Sequence, residues 1–250
     1  MSRRSKLLGS YSSFKPENKF KKKFHKIIKI IIVFFIAYQI FTTFIVSSFT
    51  LGTSAMEPAL LKGQHMLSAP VMTGAYINFL KIKFPGLKEP KRGDLVLIRP
   101  GNASNLSWYV FVLDPVVRFF TLQKKTILPK DVLSCNNQLA VKRIIGIPGD
   151  SLKMINYKFL IKDSTGLSFK FEEDQIEKKY SPLIPVAIKG IESSFPFTGN
   201  MDVIRLKEGE YFLANDNRGA YYDSRIYGPV TRNNILGHVF LTYLPGFSFK

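Results

Sequence analysis

The chemistry-bearing residues of this 250-residue chain fall in four short blocks. They are Thr53-Ser54-Ala55-Met56-Glu57-Pro58-Ala59-Leu60, then Lys91-Arg92-Gly93-Asp94-Leu95-Val96, then Val141-Lys142-Arg143-Ile144-Ile145-Gly146-Ile147-Pro148-Gly149-Asp150, and finally Asn215-Asp216-Asn217-Arg218 through Asp223-Ser224-Arg225 to Gly228. In the third, Lys142 stands between Val141 and the Ile144-Ile145 pair, on a run that reads as an apolar strand. A lysine amine ordinarily titrates near about 10.4, but burial disfavours its charged form, and a neutral amine takes up a proton. Alternation along a strand sends Lys142 and Arg143 to opposite faces, so one can enter a site while the other stays with solvent or a carboxylate. Taken alone, a Lys beside an Arg reads as a solvated pair, because lysine is so rarely buried. Metal chemistry has little to draw on. Cys135 is the single cysteine, and His25, His65 and His238 are the only histidines, which argues against a disulfide framework and against a Cys- or His-rich metal site.

The elements that must position these blocks are short β-rich runs punctuated by Gly and Pro: Leu95 to Arg99, Ala140 to Ile147, Ser151 to Ile155, Val203 to Leu206, Tyr211 to Ala214 and Gly237 to Tyr243. Their spacing predicts a mainly β, antiparallel domain, and no alternation of strands with amphipathic helices supports a doubly wound fold. Gly146 to Asp150 is a turn by composition and is expected to join its flanking strands into a hairpin. Insertions are expected near 70–90, 102–133 and 158–200. The first two mix aromatic and aliphatic residues with basic edges. Core packing is their plainer account, and a surface resting on a membrane, with Trp108, Tyr109, Phe119 and Phe120 at headgroup level, is the sharper one. Residues 158–200, rich in charge, Pro, Gly and Ser, read as an exposed excursion.

A composition of 46% hydrophobic and 22% charged residues is able to bury a core and excludes general disorder. The formal net charge of +18 asks for an acidic partner, nucleic acid or anionic lipid. Its placement decides between them. Ten basic side chains lie in residues 1–29 against Glu17 alone, and the 22 residues from Ile30 to Leu51 carry no charge. About 20 residues at 1.5 Å rise cross a hydrocarbon layer of about 30 Å. A cleaved secretory signal has an apolar region of only about 7 to 15 residues, so this run reads as an uncleaved anchor. Basic residues are retained on the cytoplasmic side. The expected organisation is therefore a cytoplasmic arm at 1–29, a single transmembrane helix at 30–51 and an extracytoplasmic domain at 52–250, held at the cell membrane. Membrane lipid is the expected partner of the basic arm, at about 1 kcal/mol per nearby Lys or Arg. Nucleic acid is not, since no zinc finger, RNP-like motif or P-loop accompanies the charge.

Behind such an anchor the four blocks resemble, in order, those of the type I signal peptidases, or leader peptidases. That family's patterns are Ser-Met-x-Pro just beyond the membrane, Arg-Gly-Asp, Lys-Arg-x-x-Gly-x-Pro-Gly-Asp, and Asp-Asn-Arg followed by Asp-Ser-Arg. The resemblance implies a membrane-anchored serine endopeptidase acting on the signal peptides of exported preproteins by a Ser/Lys dyad, without metal or cofactor. It implies Lys142 as general base, residue 55 as the nucleophile's position, and Thr53 with the residue 55 N–H as oxyanion donors. Asp216, Asn217, Arg218, Asp223 and Arg225 match the block that braces the site, and Tyr221 stands where the family commonly has a serine that orients the lysine. An extended peptide is expected along strand edges, with Phe49, Leu51, Met56, Leu60 and Val141 as walls of shallow pockets for small side chains. The same five residues also read as plain core.

Ala55 breaks the pattern, because a methyl group cannot attack a carbonyl. Ser54 is adjacent, but on extended backbone it points to the opposite face. Two readings stand: a signal peptidase silenced by a Ser to Ala change, or a noncatalytic relative that binds signal peptides or serves as a membrane-anchored assembly factor. Retention of Lys142 and its surroundings favours the first. Tyr221 points the other way, since a phenol reaches further than a serine hydroxyl.

Overall fold

A computed structural model describes residues 19–77, 82–98, 113–114, 116–117, 120–121, 127, 140–185, 199–244 and 246–249. Trp108, Tyr109 and Phe119 lie outside the described residues, as does most of 102–133, while Phe120 is exposed. The chain divides into two units, Met1–Tyr38 and Gln39–Lys250.

Helix α1 (Lys19–Ile40) runs through the first unit and ends just inside the second. A π-helical turn at Phe41–Ile45 follows, and strand β1 starts at Ser47. The uncharged run at 30–51 is therefore not one helix to its end. Thr42, Thr43, Val46, Ser47, Ser48 and Thr50 are β-branched or hydroxylated residues of weaker helix preference. The Ser47 hydroxyl donates to the Thr42 carbonyl at 2.8 Å and helps close the last turn.

The second unit is mainly β: β1 (Ser47–Thr50), β2 (His65–Ala69), α2 (Pro70–Thr73), β3 (Tyr76–Ile77), β4 (Ile82–Lys83), β5 (Leu95–Ile98), β6 (Ala140–Gly146), β7 (Ser151–Ile155), β8 (Lys158–Lys162), β9 (Lys170–Phe171), α3 (Glu172–Gln175), β10 (Met201–Arg205), β11 (Glu210–Ala214), α4 (Ser224–Tyr227), β12 (Val230–Thr231), β13 (Ile235–Leu244) and β14 (Ser248–Phe249). Among the described residues the large sheet runs β1-β2-β13-β5-β6-β11-β12, with β14 also on β13, and a second sheet runs β10-β7-β8-β9. Every pairing of named strands is antiparallel. Central β5 and β6 are buried along nearly their whole length, whereas β7 and β8 alternate, with Leu152, Met154, Phe159 and Ile161 inward.

Two sequence expectations need correction. The turn at 146–150 does not close a hairpin, because β6 pairs with β5 and β11 while β7 pairs with β8 and β10. It hands the chain from one sheet to the other. Asp150 is buried in that corner, accepting from the Ile147 N–H at 2.9 Å and from Arg92 Nε and Nη2 at 2.9 and 2.7 Å. The guanidinium therefore pins the corner from the second motif block. The exposed excursion expected at 158–200 is also wrong for its first part. Phe159, Ile161 and Ile176 join Ile145, Leu152, Met154, Leu206, Phe212 and Ala214 in one core cluster, which seals the two sheets together. Charged residues at the strand ends had masked an alternating pattern. Segment 70–90 forms α2 and the β3–β4 hairpin; Phe84 meets Phe44 edge-on at 5.3 Å, while Leu87 stays exposed.

Glu172 sits fully within this interior and accepts from Arg218 Nη2 at 2.6 Å. Removing one partner of a buried ion pair leaves an uncompensated charge, at a cost of about 3 to 5 kcal/mol. Glu172→Ala is therefore expected to lower stability by about that amount. Glu172→Met with Arg218→Met should lose less, both read by chemical denaturation of the detergent-solubilised chain.

Candidate active site

Lys142 occupies the middle of β6, opposite Val96 on β5, and is buried on a strand flanked on both sides. Its Nζ donates to Asn215 Oδ1 at 2.5 Å and to the Tyr222 carbonyl at 2.8 Å. Burial is the main influence on its titration and lowers it to about 8; Asp223 opposes the shift and Arg225 adds to it. A neutral amine has two hydrogens, and these two acceptors take both. The nitrogen lone pair is then left to receive a proton.

Arg143, one residue on, points to a different set of partners. It grips Asp216 with two parallel bonds, Nε to Oδ1 at 2.7 Å and Nη2 to Oδ2 at 2.6 Å, donates through Nη1 to the Gly93 carbonyl at 2.8 Å, and lies over the Tyr180 ring. The neighbouring Lys and Arg are thus both buried, with the carboxylate given to the arginine. Gly93 has φ +85, and a Cβ there would meet Ile176 Cγ2 at 2.5 Å, so only glycine brings that carbonyl to Arg143. Asp223 accepts from Arg225 Nε and Nη2, both at 2.8 Å, and from the Asn215 N–H at 2.9 Å. Arg225 in turn donates to the carbonyls of Arg218 and Ala220, each at 2.8 Å. Arg218 also meets Tyr180 Oη at 3.0 Å. Burial, opposed by Arg218 and reinforced by Glu172, holds the Tyr180 phenol well above its ordinary range, so it remains a donor to Glu172.

Residue 55 lies in a turn, not on extended backbone. Glu57 N–H bonds the Ser54 carbonyl at 3.2 Å and Leu60 N–H the Met56 carbonyl at 2.9 Å. Strict two-face alternation therefore does not govern Ser54, which is exposed beside exposed Thr53 and half-buried Ala55. The Asn217 N–H donates to the Ala55 carbonyl at 3.0 Å. The segment whose Asn215 holds the lysine thus also holds residue 55. Leu51, Met56, Leu60 and Val141 are packed in one core cluster with Met66, Leu95, Leu97 and Val239, and half-buried Phe49 packs against it. The structure brings the five expected wall residues together, four of them as buried core.

The signal peptidase, peptidase S26, family model matches residues 24–244. The signal peptidase I of Rickettsia prowazekii (strain Madrid E) is 27% identical over 206 residues, covering 73% of this chain and 65% of that protein. The corresponding protein of Rickettsia felis is 25% identical with the same coverage, and that of Rickettsia typhi 27% identical over 218 residues, 77% of this chain and 70% of that protein. The chain thus spans about 65% of the length of the first two. A crystal structure of a signal peptidase I from Enterococcus faecalis V583 is similar at 18% identity, covering 61% of this chain and 98% of that one, with a TM-score of 0.33.

Tyr221 departs from its expected place: it is 52% exposed, and the lysine's hydrogen bonds go elsewhere. The sequence assigns no role to Asn215, Glu172 or Tyr180, since each gains its meaning from a partner distant in sequence, whereas Arg143 takes the carboxylate that strand alternation allows it. Lys142 yields a stability test with a definite sign. Its folded titration at about 8 lies below the unfolded value of about 10.4, so between those pH values the unfolded chain holds more protons and stability rises with pH. The unfolding free energy of the chain relative to Lys142→Met is expected to climb across that window and be flat below it, as read by denaturation at a series of pH values.

Proposed function

Because the chain belongs to the signal peptidase family, peptidase S26, we propose that it is built as a membrane-anchored signal peptidase I acting through a Ser/Lys pair, with Ala55 at the nucleophile's position. The observation that carries this reading is a buried lysine amine, lowered to about 8, with both neutral-state hydrogens engaged and residue 55 tied to the same segment. With serine at 55, the Lys142 lone pair takes the hydroxyl proton as the oxygen attacks the carbonyl before the scissile bond. The residue 55 N–H and the Thr53 hydroxyl stabilise the developing oxyanion. The Lys142 ammonium then protonates the departing amine, and the regenerated amine activates water to release the acyl group. Asp216, Asn217, Arg218, Asp223 and Arg225 keep that geometry and touch no reacting atom. With alanine the first step has no nucleophile, so the chain as it stands binds signal peptides without cutting them. The same alanine is what a signal-peptide binder would carry, and that is the second reading.

Membrane anchoring belongs to the same proposal. The stretch Phe20–Ile45 is long and apolar enough to cross a bilayer by length and composition. Ile30, Val33, Phe34 and Ile36 are exposed, as suits lipid better than water. Residues 30–45 cover about 24 Å at helical rise, and the stems of Lys26 and Lys29 can extend that reach toward the headgroups. The basic arm is read as cytoplasmic and the β-unit as extracytoplasmic.

Ala55→Ser in the full chain, reconstituted in lipid, is expected to cleave a preprotein after an Ala-x-Ala sequence, with kcat/KM rising as pH passes through about 8. Adding Lys142→Met should lower that rate by about 10²-fold or more. A folded, membrane-bound Ala55→Ser protein that cuts no such substrate would leave the binder reading in its place, and measurable signal-peptide affinity in the unaltered chain would support it.

A further inference from the structure

Charges around Lys142 are sorted in a particular way. Asp216 is spent on Arg143 and Asp223 on Arg225, each through two hydrogen bonds from the guanidinium. The lysine's own acceptors are both neutral, an amide oxygen and a backbone carbonyl. We propose that Asn215 is the positioning residue for Lys142: its side-chain oxygen takes one amine hydrogen and so fixes where the lone pair points. This inference rests on the reading of Lys142 as the base.

The amide's orientation is set by its own contacts. Asn215 is fully buried; its Nδ2 donates to the Ala220 carbonyl at 2.5 Å, and its backbone N–H donates to Asp223 Oδ2 at 2.9 Å. The Ala220 carbonyl can only accept, so Nδ2 must face it and Oδ1 must face the lysine. Tyr221, 52% exposed, contributes no hydrogen bond to that amine. A neutral acceptor holds the amine in place in both protonation states. A carboxylate at the same point would favour the ammonium and oppose its loss of a proton, with Asp223 acting in that direction already and Arg225 against it. An amide at 215 therefore separates positioning from charging.

Asn215→Asp and Asn215→Ala are to be compared in two backgrounds. In the unaltered Ala55 chain, the Lys142 amine is titrated by competitive labelling of lysines across pH, read by mass spectrometry. Asn215→Asp is expected to raise its midpoint by more than one pH unit, about tenfold in proton affinity. The Ala220 carbonyl keeps its donor from Arg225 in either variant. In the Ala55→Ser chain, Asn215→Ala is expected to lower kcat by about tenfold or more above the pH limb, with KM within about twofold, because the residue acts through the lysine and not on the peptide. Asn215→Asp should move the limb itself upward. An unmoved labelling midpoint in Asn215→Asp overturns the proposal, as does a kcat within about twofold of the parent in Asn215→Ala. A residue that merely supports the fold would lower thermal stability and leave the pH limb in place. If Ala55→Ser shows no activity, the reading of Lys142 as the base falls, while the labelling experiment still measures Asn215's hold on the amine.

Discussion

A lysine amine inside a β-sheet is tolerable only if it can be neutral and if its hydrogens are satisfied. Both conditions are met at Lys142 by uncharged oxygens, while the nearby carboxylates are each taken up by an arginine. Burial disfavours the ammonium, and Arg225 opposes the pull of Asp223 that would restore it. The rest of the domain can be understood as the support this arrangement needs. Central strands β5 and β6 exclude water, and the loop after β11 brings three consecutive polar residues, Asn215, Asp216 and Asn217, to three different partners.

The second sheet contributes from a distance. Its core residues seal against β6 and β11, and Glu172, in the short helix α3 that follows β9, reaches Arg218, whose carbonyl in turn accepts from Arg225. Arg92 holds the corner between the sheets through Asp150 and also meets Asp163 on the outer side. The Arg-Gly-Asp and Gly-x-Pro-Gly-Asp blocks are thus joined structurally, one supplying the guanidinium and the other the carboxylate. The glycine of the first places its carbonyl where the lysine's neighbour, Arg143, can bond it.

Much of this was legible beforehand. β-Rich runs between Gly and Pro mark β5, β6, β7, β10, β11 and β13 within a few residues. The apolar surroundings of Lys142 fit burial, but only the other three blocks weigh that reading above a solvated Lys-Arg pair. Strand β8, whose two ends are lysines, reads as surface, because charge at an edge says nothing about the two inward residues between, whereas β9 is exposed as the excursion reading expects. The turn at 146–150 showed that the chain reverses, but composition does not encode which sheet receives it. Asn215's partner lies 73 residues away, a pairing that only the fold creates. The five residues around Phe49 and Val141 were read both as pocket wall and as core, and their shared cluster shows how closely these descriptions overlap at the edge of a β-domain.

The Ala55 carbonyl is already fastened by the Asn217 N–H, and its side chain is only half-buried. Exchanging methyl for hydroxymethyl there asks for one added oxygen and no new backbone path. Alanine codons of the form GCN and serine codons of the form TCN differ in a single base. On the proposed reading, the silent and the cutting forms of this chain would stand one point mutation apart, with the costly part of the machinery, its buried amine and paired charges, conserved unchanged between them.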